Sequence, residues 1–268
     1  MRKNATRLAG IALLFVTLAG TASGEVLFRD DFNGTGLDTT KWALGTWTLG
    51  RTDLGNAPVV SGGIARLRFD TFNPADPGGS FLGTEILSRA VFDRGQGIEF
   101  EARVRVNPLP NGLVTSFFTY VWRQSSGITY SDEIDFEFLS KQINSSPTTS
   151  DPVLTTTWNN WDNNHQIYTD PNTYNSGNVN VAGLNLSQFN IFVIRWLPDR
   201  VEWLVNGQLI RTATTAVPDE ITDIRLNFWA PGKGWTDAFS GKLVPARNAR
   251  QNQTFYYDVD YVEVRTIP

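Results

Sequence analysis

Nine consecutive residues, Ile98-Glu99-Phe100-Glu101-Ala102-Arg103-Val104-Arg105-Val106, carry an apolar side chain at every second position. A period of two suits a half-buried β-strand, because successive side chains leave the backbone on opposite faces. It does not suit a helix, whose apolar stripe recurs every three to four residues. Short runs rich in Val, Ile, Phe, Tyr and Trp follow the same habit at 59–60, 64–69, 114–122, 134–139, 191–196, 201–205, 224–229 and 255–264. Gly, Pro, Asn and Asp punctuate them, and Asn206-Gly207 reads as a two-residue hairpin turn into 208–211. No window of useful length carries a helical apolar period. These runs predict an all-β chain, an antiparallel sandwich or barrel. No linker, repeat or composition break interrupts residues 25–268, which are expected to form a single domain.

The first residues read differently. Arg2, Lys3 and Arg7 precede the apolar run 8–18, and small residues follow from Ala19 to Gly24. That order predicts a secretory signal peptide over residues 1–24, cut after Gly24 or Ala22, and hence a secreted protein. The apolar run is too short to span a bilayer, and no later stretch is long or apolar enough, so no membrane partner is expected. Among 268 residues there is no cysteine, so disulfides, thiol nucleophiles and thiolate metal sites are excluded. A net charge of −4 argues against nucleic acid, whose binding draws on a basic stripe.

The segment Ser131-Asp132-Glu133-Ile134-Asp135-Phe136-Glu137-Phe138-Leu139 carries the chemistry. On a strand, Ile134, Phe136 and Phe138 enter the core while Glu133, Asp135 and Glu137 line the opposite face. A chain that needed only solubility would intersperse the signs, yet no Lys or Arg interrupts this row. Glycoside hydrolysis uses two carboxyl groups flanking the scissile bond, about 5–5.5 Å apart in retaining enzymes. The backbones of Glu133 and Glu137 lie about 13 Å apart on a strand, and long side chains leaning together close much of that gap. Asp135 between them can hydrogen-bond one glutamate, and crowded like charges raise the pKa of a proton donor.

Three other readings compete for the row: an ordinary solvated face, a hard-cation site, and a non-catalytic sugar-binding surface. Calcium usually draws ligands from loops, so the sugar-binding surface is the serious rival. Other chemistries are poorly supplied. The lone histidine, His165, sits in an Asn-rich loop, no Gly-x-Ser-x-Gly elbow exists, and neither phosphate-loop fingerprint is matched.

The run Glu133-Ile134-Asp135-Phe136-Glu137, with Asp132 before it and Phe138-Leu139 after it, resembles the motif of glycoside hydrolase family 16. That family includes lichenases, laminarinases, xyloglucan transglycosylases, agarases and carrageenases. The resemblance extends to Phe28-Arg29-Asp30-Asp31-Phe32-Asn33-Gly34, Gly83-Thr84-Glu85-Ile86, Thr115 to Tyr120, Val205-Asn206-Gly207, Asn227-Phe228-Trp229 and Tyr257 to Val262. It implies a jelly-roll of two curved antiparallel sheets with the cleft on the concave face. It also implies retaining chemistry, with Glu133 as nucleophile, Glu137 as acid/base and Asp135 as their modulator. Sugar contacts are implied at Glu85, Phe118, Tyr120, Asn227, Trp229 and Trp158, and Trp122 and Trp235 join them as aromatic candidates. No cofactor is required for catalysis; a structural calcium at Asp260 is implied by many members.

The unbroken Glu-x-Asp-x-Glu spacing resembles the lichenase and xyloglucan branch, since the other branches generally insert a bulge residue before the second glutamate. The chain also departs from the lichenase pattern. Leu87 stands where an arginine is expected, with Arg89 the nearest replacement, and Thr156 takes the place of a cleft asparagine. Residues 122–130 form an insertion before the catalytic strand. The resemblance therefore predicts a monomeric, secreted, retaining endo-β-glucanase acting on a polysaccharide, mixed 1,3-1,4-β-glucan or 1,3-β-glucan. A transglycosylase of the same family and a jelly-roll lectin are the alternatives.

Overall fold

The alternation at 98–106 becomes a strand whose apolar residues are buried and whose charged ones are half-exposed. In the computed structural model, which describes residues 24–146 and 150–268, every apolar run read from the sequence is a strand. The expected leader, apart from Gly24, lies outside the described residues. Among those described, no helix is long and apolar enough to cross a membrane.

Strands are numbered in chain order. The concave sheet runs, in space, β2 (Trp42–Leu44), β7 (Phe81–Ser88), β16 (Asp223–Trp229), β9 (Val114–Ser125), β10 (Ile128–Leu139), β11 (Pro152–Asp162) and β12 (Tyr174–Asn180), all antiparallel. In the convex sheet, one edge of β17 (Thr254–Thr266) pairs with β8 (Ile98–Val106). Its other edge pairs with β6 (Ile64–Asp70) and then β1 (Val26–Asp30). Beyond β8 lie β13 (Asn190–Leu197), β14 (Arg200–Val205) and β15 (Gln208–Ala213), while β5 (Val59–Ser61) borders β6. The short β3 (Thr48–Leu49) and β4 (Thr52–Leu54) close one rim, β4 running parallel to the start of β7. The one helical turn after β10, α1, is Ser140–Ile143.

The hairpin turn is as expected. Asn206 and Gly207 take φ of 50° and 80°, a left-handed pair that fits the strand twist. Between the sheets, Ile134, Phe136 and Phe138 of β10 are fully buried. Phe192 of β13 meets Phe136 and Phe138 with ring centroids 5.2 and 4.8 Å away, and Tyr257 of β17 meets Phe138 at 6.3 Å. Burying each such ring contributes about 1.5–3 kcal/mol. Trp203 of β14 crosses the core and donates its Nε1–H to the carbonyl of Asp135 at 2.9 Å. The backbone under the acidic row is therefore pinned from the convex sheet.

Candidate active site

Because β10 buries Ile134, Phe136 and Phe138 in the core, Ser131, Glu133, Asp135 and Glu137 face the cleft. β9 pairs with β10 through twelve successive residues without a break, from Ile128↔Ser125 to Leu139↔Val114. The unbroken alternation read from the sequence is thus kept. Cross-strand partners fall into rows: Tyr120 beside Glu133, Phe118 beside Asp135, and Ser116 beside Glu137. On the next strand, Arg225 lies beside Phe118 and Asn227 beside Ser116, and β7 then places Leu87 and Glu85 beside those two.

These rows line a cavity of about 630 Å³ that holds Glu133, Asp135 and Glu137 together with Glu85, Phe118, Tyr120, Trp122, Trp158, Asn227 and Trp229. Ten of the expected residues are thus gathered in one place. Trp235 is not among the walls. It packs behind Trp229, ring centroids 5.8 Å apart, in a small cluster with Val114, Leu139 and Ala238. Asp260 lies on β17 of the convex sheet, where its carboxylate pairs with Arg103. Among the described residues, no group of three or more His, Cys, Asp or Glu side chains could hold a metal ion. A carboxylate already facing a guanidinium does not fit a calcium cage built from side chains.

Two further expectations are corrected by position. Arg89 is exposed, is not on the cavity wall and donates to the carbonyl of Thr39 at 2.7 Å. The cation of the site is Arg225, opposite Leu87 in the β7–β16 register, so the missing arginine charge is supplied one strand over. Thr156 is buried and meets the hydroxyl of Ser176 at 3.2 Å, outside the cavity wall. His165 is exposed and pairs only with Asp162 at 2.8 Å.

Arg225 shows how the cleft is wired. It is 8% exposed, gripped by Asp223 through Nε at 2.6 Å and Nη2 at 2.9 Å, and donates to Glu85 at 3.2 Å. Its guanidinium stacks between Tyr120, 4.6 Å from the ring centre, and Trp47 at 5.6 Å. Along the cavity wall are four carboxylates, Glu85, Glu133, Asp135 and Glu137, and one cation, Arg225. Neither Arg225 nor Trp47 was expected from sequence. Alternation places Arg225 on the same face as Asn227, and that was the available signal.

Burial dominates the electrostatics. It lifts the Glu133 carboxyl to about 7, against the Asp135 hydrogen bond and the charge of Arg225, which hold it down. It lifts Glu137 to about 8, assisted by the charge of Glu133, with no cation opposing it. Asp135 rises well above the usual carboxylate range, by burial and by repulsion from both glutamates. A hydrogen bond shared with Glu133 adds to that rise, while Trp158 Nε1 donates to Asp135 Oδ2 at 3.0 Å and opposes it. Burial also lifts Glu85 to about 7, opposed by Arg225 and Asn227. The two glutamates thus stand in unlike environments, one near a guanidinium and one not.

The two ends of the cavity differ. Around Glu137, the Ser116 hydroxyl, the Asn227 Oδ1 and the Trp229 Nε1 are buried without a protein hydrogen-bond partner. Buried orphans each cost about 1–3 kcal/mol unless something in the cleft meets them. Around Glu133 the wall is aromatic, with Trp158 4.6 Å from Trp161 and 4.5 Å from Tyr174, and Trp161 5.0 Å from Tyr168. Trp158 and Trp161 are three apart, out of phase for a strand, yet both face the cavity. A bulge on β11 opposite Asp132 absorbs the extra residue. Asn160 sits there at a φ of 48° and donates its backbone N–H to Asp132 at 2.7 Å. Sequence periodicity could not have found Trp161, because the bulge breaks the period.

Comparison with known proteins agrees with this geometry. The family model "Glycosyl hydrolases family 16" matches residues 55–261. A beta-glucanase of Bacillus subtilis is 29% identical over 246 residues, covering 86% of this chain and 87% of that one. One from Brevibacillus brevis is 32% identical over 151 residues, 55% of this chain, and the match spans about half of that relative, 48%. A solved lichenase, a β-1,3-1,4-glucanase from a mouse hindgut metagenome, superposes with a TM-score of 0.64 at 25% identity, covering 90% of this chain and 99% of that one. The Bacillus licheniformis beta-glucanase does so with a TM-score of 0.64 at 23% identity, covering 92% and 100%, and shares the fold. With the matching model covering most of the chain and the acidic strand at the centre of the cleft, this protein belongs to the glycosyl hydrolases of family 16.

Proposed function

We propose that the chain is an endo-acting β-glucanase that cleaves mixed 1,3-1,4-β-glucan with retention of anomeric configuration. The observation that carries this reading is the row Glu133, Asp135, Glu137 on one face of an unbroken strand, at the floor of an open cleft. Glu137, held protonated to about 8, donates its proton to the glycosidic oxygen as the bond to the anomeric carbon breaks. Glu133, the glutamate near Arg225, attacks that carbon to form a glycosyl ester. Once Glu133 is esterified, its charge no longer props up the Glu137 pKa. Glu137 can then serve as base for the water that releases the sugar. Asp135 keeps its proton and steadies Glu133 by hydrogen bond, and Trp158 fixes Asp135.

The choice of glucan leans on the beta-glucanases and the lichenase, the relatives with sequence identity of 25% or more. The laminarinase likenesses, at 13–17% identity, speak to fold alone. A cleft with four carboxylates and one cation suits a neutral polymer rather than a sulfated or carboxylated one. A polymeric substrate also fits export, so the leader reading of residues 1–24 is kept within the proposal, as is a monomer. The test is hydrolysis of a panel of barley β-glucan, laminarin, xyloglucan and carrageenan, with the anomer of the first product followed by proton NMR. The β-anomer from barley glucan is expected; an α-anomer, or activity confined to another polymer, overturns the reading.

A further inference from the structure

The aromatic end of the cleft rests on the 122–130 insertion. β9 pairs with β16 only as far as Tyr120↔Asp223, yet its ladder with β10 continues to Ser125↔Ile128. Ser126 and Gly127 close the arm at φ of 53° and 80°. Trp122 therefore projects past the end of β16, in phase with Phe118 and Tyr120 and level with Trp161 across β10, and is 57% exposed on the cavity wall.

A bare two-stranded arm is marginally stable in water, and this one is braced. Arg123 stacks over Tyr130 at 5.1 Å, pairs with Glu220 at 3.0 Å and bonds the side chain of Asn160. Asn163 donates its side-chain amide to the carbonyl of Thr129 and to the hydroxyl of Ser131, both at 3.2 Å. Across the cavity wall stands Tyr168, 55% exposed, its ring supported by Trp161 at 5.0 Å and Trp158 at 6.0 Å. The amides of Asn163 and Gln166 line the same cavity. Neither Trp122 nor Tyr168 contributes to the core, and holding them in water forfeits apolar burial. Exposed rings and amides on one wall, continuous with a carboxylate-lined cleft, suit a pyranose, with its C–H face on the rings and its hydroxyls at the amides.

We propose that Trp122 and Tyr168, with Asn163 and Gln166 at their edges, form an outer subsite that holds a further pyranose ring of a β-glucan chain. This rests on the cleft being the glucan site. The subsite makes affinity depend on chain length, so long chains are held in preference to short ones.

Binding and turnover test this separately. Calorimetry on a Glu133→Gln background, with mixed-linked β-glucan oligosaccharides from the trisaccharide upward, should show affinity rising with length until the outer subsite is filled. Trp122→Ala and Tyr168→Ala should each remove the last step, weakening the longest oligosaccharides about tenfold, or 1.4 kcal/mol. Trp122→Phe should restore most of it. In the active protein, the loss in kcat/KM should grow with substrate length. Trp122 is exposed and outside the core, so Trp122→Ala should melt at the parental temperature. Tyr168→Ala also loses ring contacts with Trp158, Trp161 and Tyr174 and should melt slightly lower. Equal weakening of short and long oligosaccharides, or none, overturns the proposal. If no glucan is hydrolysed but the length-dependent step is still removed by Trp122→Ala, the subsite stands and the hydrolase reading falls.

Discussion

The convex and concave faces are built from the same alternation, yet they spend their polar positions in opposite ways. On the convex face the signs are interleaved. Glu99 meets Arg195 at 2.7 Å and Arg265 at 3.0 Å, and Glu101 meets Arg265 at 2.6 Å. Arg103 pairs with Asp260, and Asp258 with Arg105. On the concave face three acids follow one another along β10, and the cavity wall carries four carboxylates but a single guanidinium. Neutralisation across strands is what a solvated sheet face needs. Concentrating one sign in a partly dry cleft raises carboxyl pKa values and is unfavourable for folding, so the concave face is explained by chemistry.

The largest effects should follow from breaking the acid row. Glu137→Ala removes the proton donor, and kcat on barley β-glucan should fall by about 10²–10⁴. Glu133→Ala should fall at least as far, since no glycosyl ester can form. Hydrolysis preserved in either variant would sink the assignment. Next in size is Arg225→Met. The guanidinium helps hold the Glu133 carboxyl down to about 7 and has no part in setting Glu137 at about 8. Wild-type activity should therefore be highest between those values, with limbs that belong to the coupled pair. Without the cation, Glu133 ionises only at higher pH. The acid limb should move up and the alkaline limb stay, with about a tenfold loss of kcat/KM at pH 6. Both limbs moving together would show Arg225 to be merely structural.

That contrast between faces also marks what was legible beforehand. Apolar runs located β8, β9, β10, β13, β14, β16 and β17, the hairpin turn at Asn206-Gly207 and the shared face of Glu133, Asp135 and Glu137, but not β7, β11 or β12. Alternation could also have given Arg225, which shares the parity of Asn227, but the expectation of an arginine on Glu85's own strand directed attention to Arg89. Strand pairing decides which residue sits beside which, and Arg225 becomes the neighbour of Glu85 only once β16 lies against β7. Trp161 was hidden for a different reason, since the β11 bulge shifts phase by one residue. Trp235 is off the cavity wall, packed against Trp229, and alternation cannot tell an aromatic that supports a cleft from one that lines it.

A smaller effect concerns stability. Glu137 titrates in the unfolded chain near the ordinary glutamate value, about 4.3, and in the fold at about 8. The fold binds that proton more tightly, so the stabilisation is fully present below the lower value and is lost as pH rises to 8. Glu137→Gln removes the titration. Its melting temperature should exceed that of the wild type by a few degrees at pH 8, at about 2–4 °C per kcal/mol for a chain of this size. At pH 4 the two should coincide. A variant less stable than the wild type at both pH values would mean that the burial of Glu137 is relieved by partners other than a proton.

The smallest effect is expected where the convex face is disturbed. Arg103 also stacks over Phe189 at 4.8 Å, and both it and Asp260 remain partly exposed, 39% and 27% for their side chains. Such a pair gains little Coulomb energy beyond what water supplies, and double-mutant cycles on exposed pairs give about 0.2–1 kcal/mol. Asp260→Asn should therefore lower the melting temperature by no more than about 2–4 °C. Chelation with EDTA should leave it unchanged, because a guanidinium already occupies the carboxylate. A calcium-dependent rise in melting temperature that Asp260→Asn abolishes would show the opposite. The carboxylate would then leave Arg103 for an ion, and the interleaved convex face would hold a site of its own.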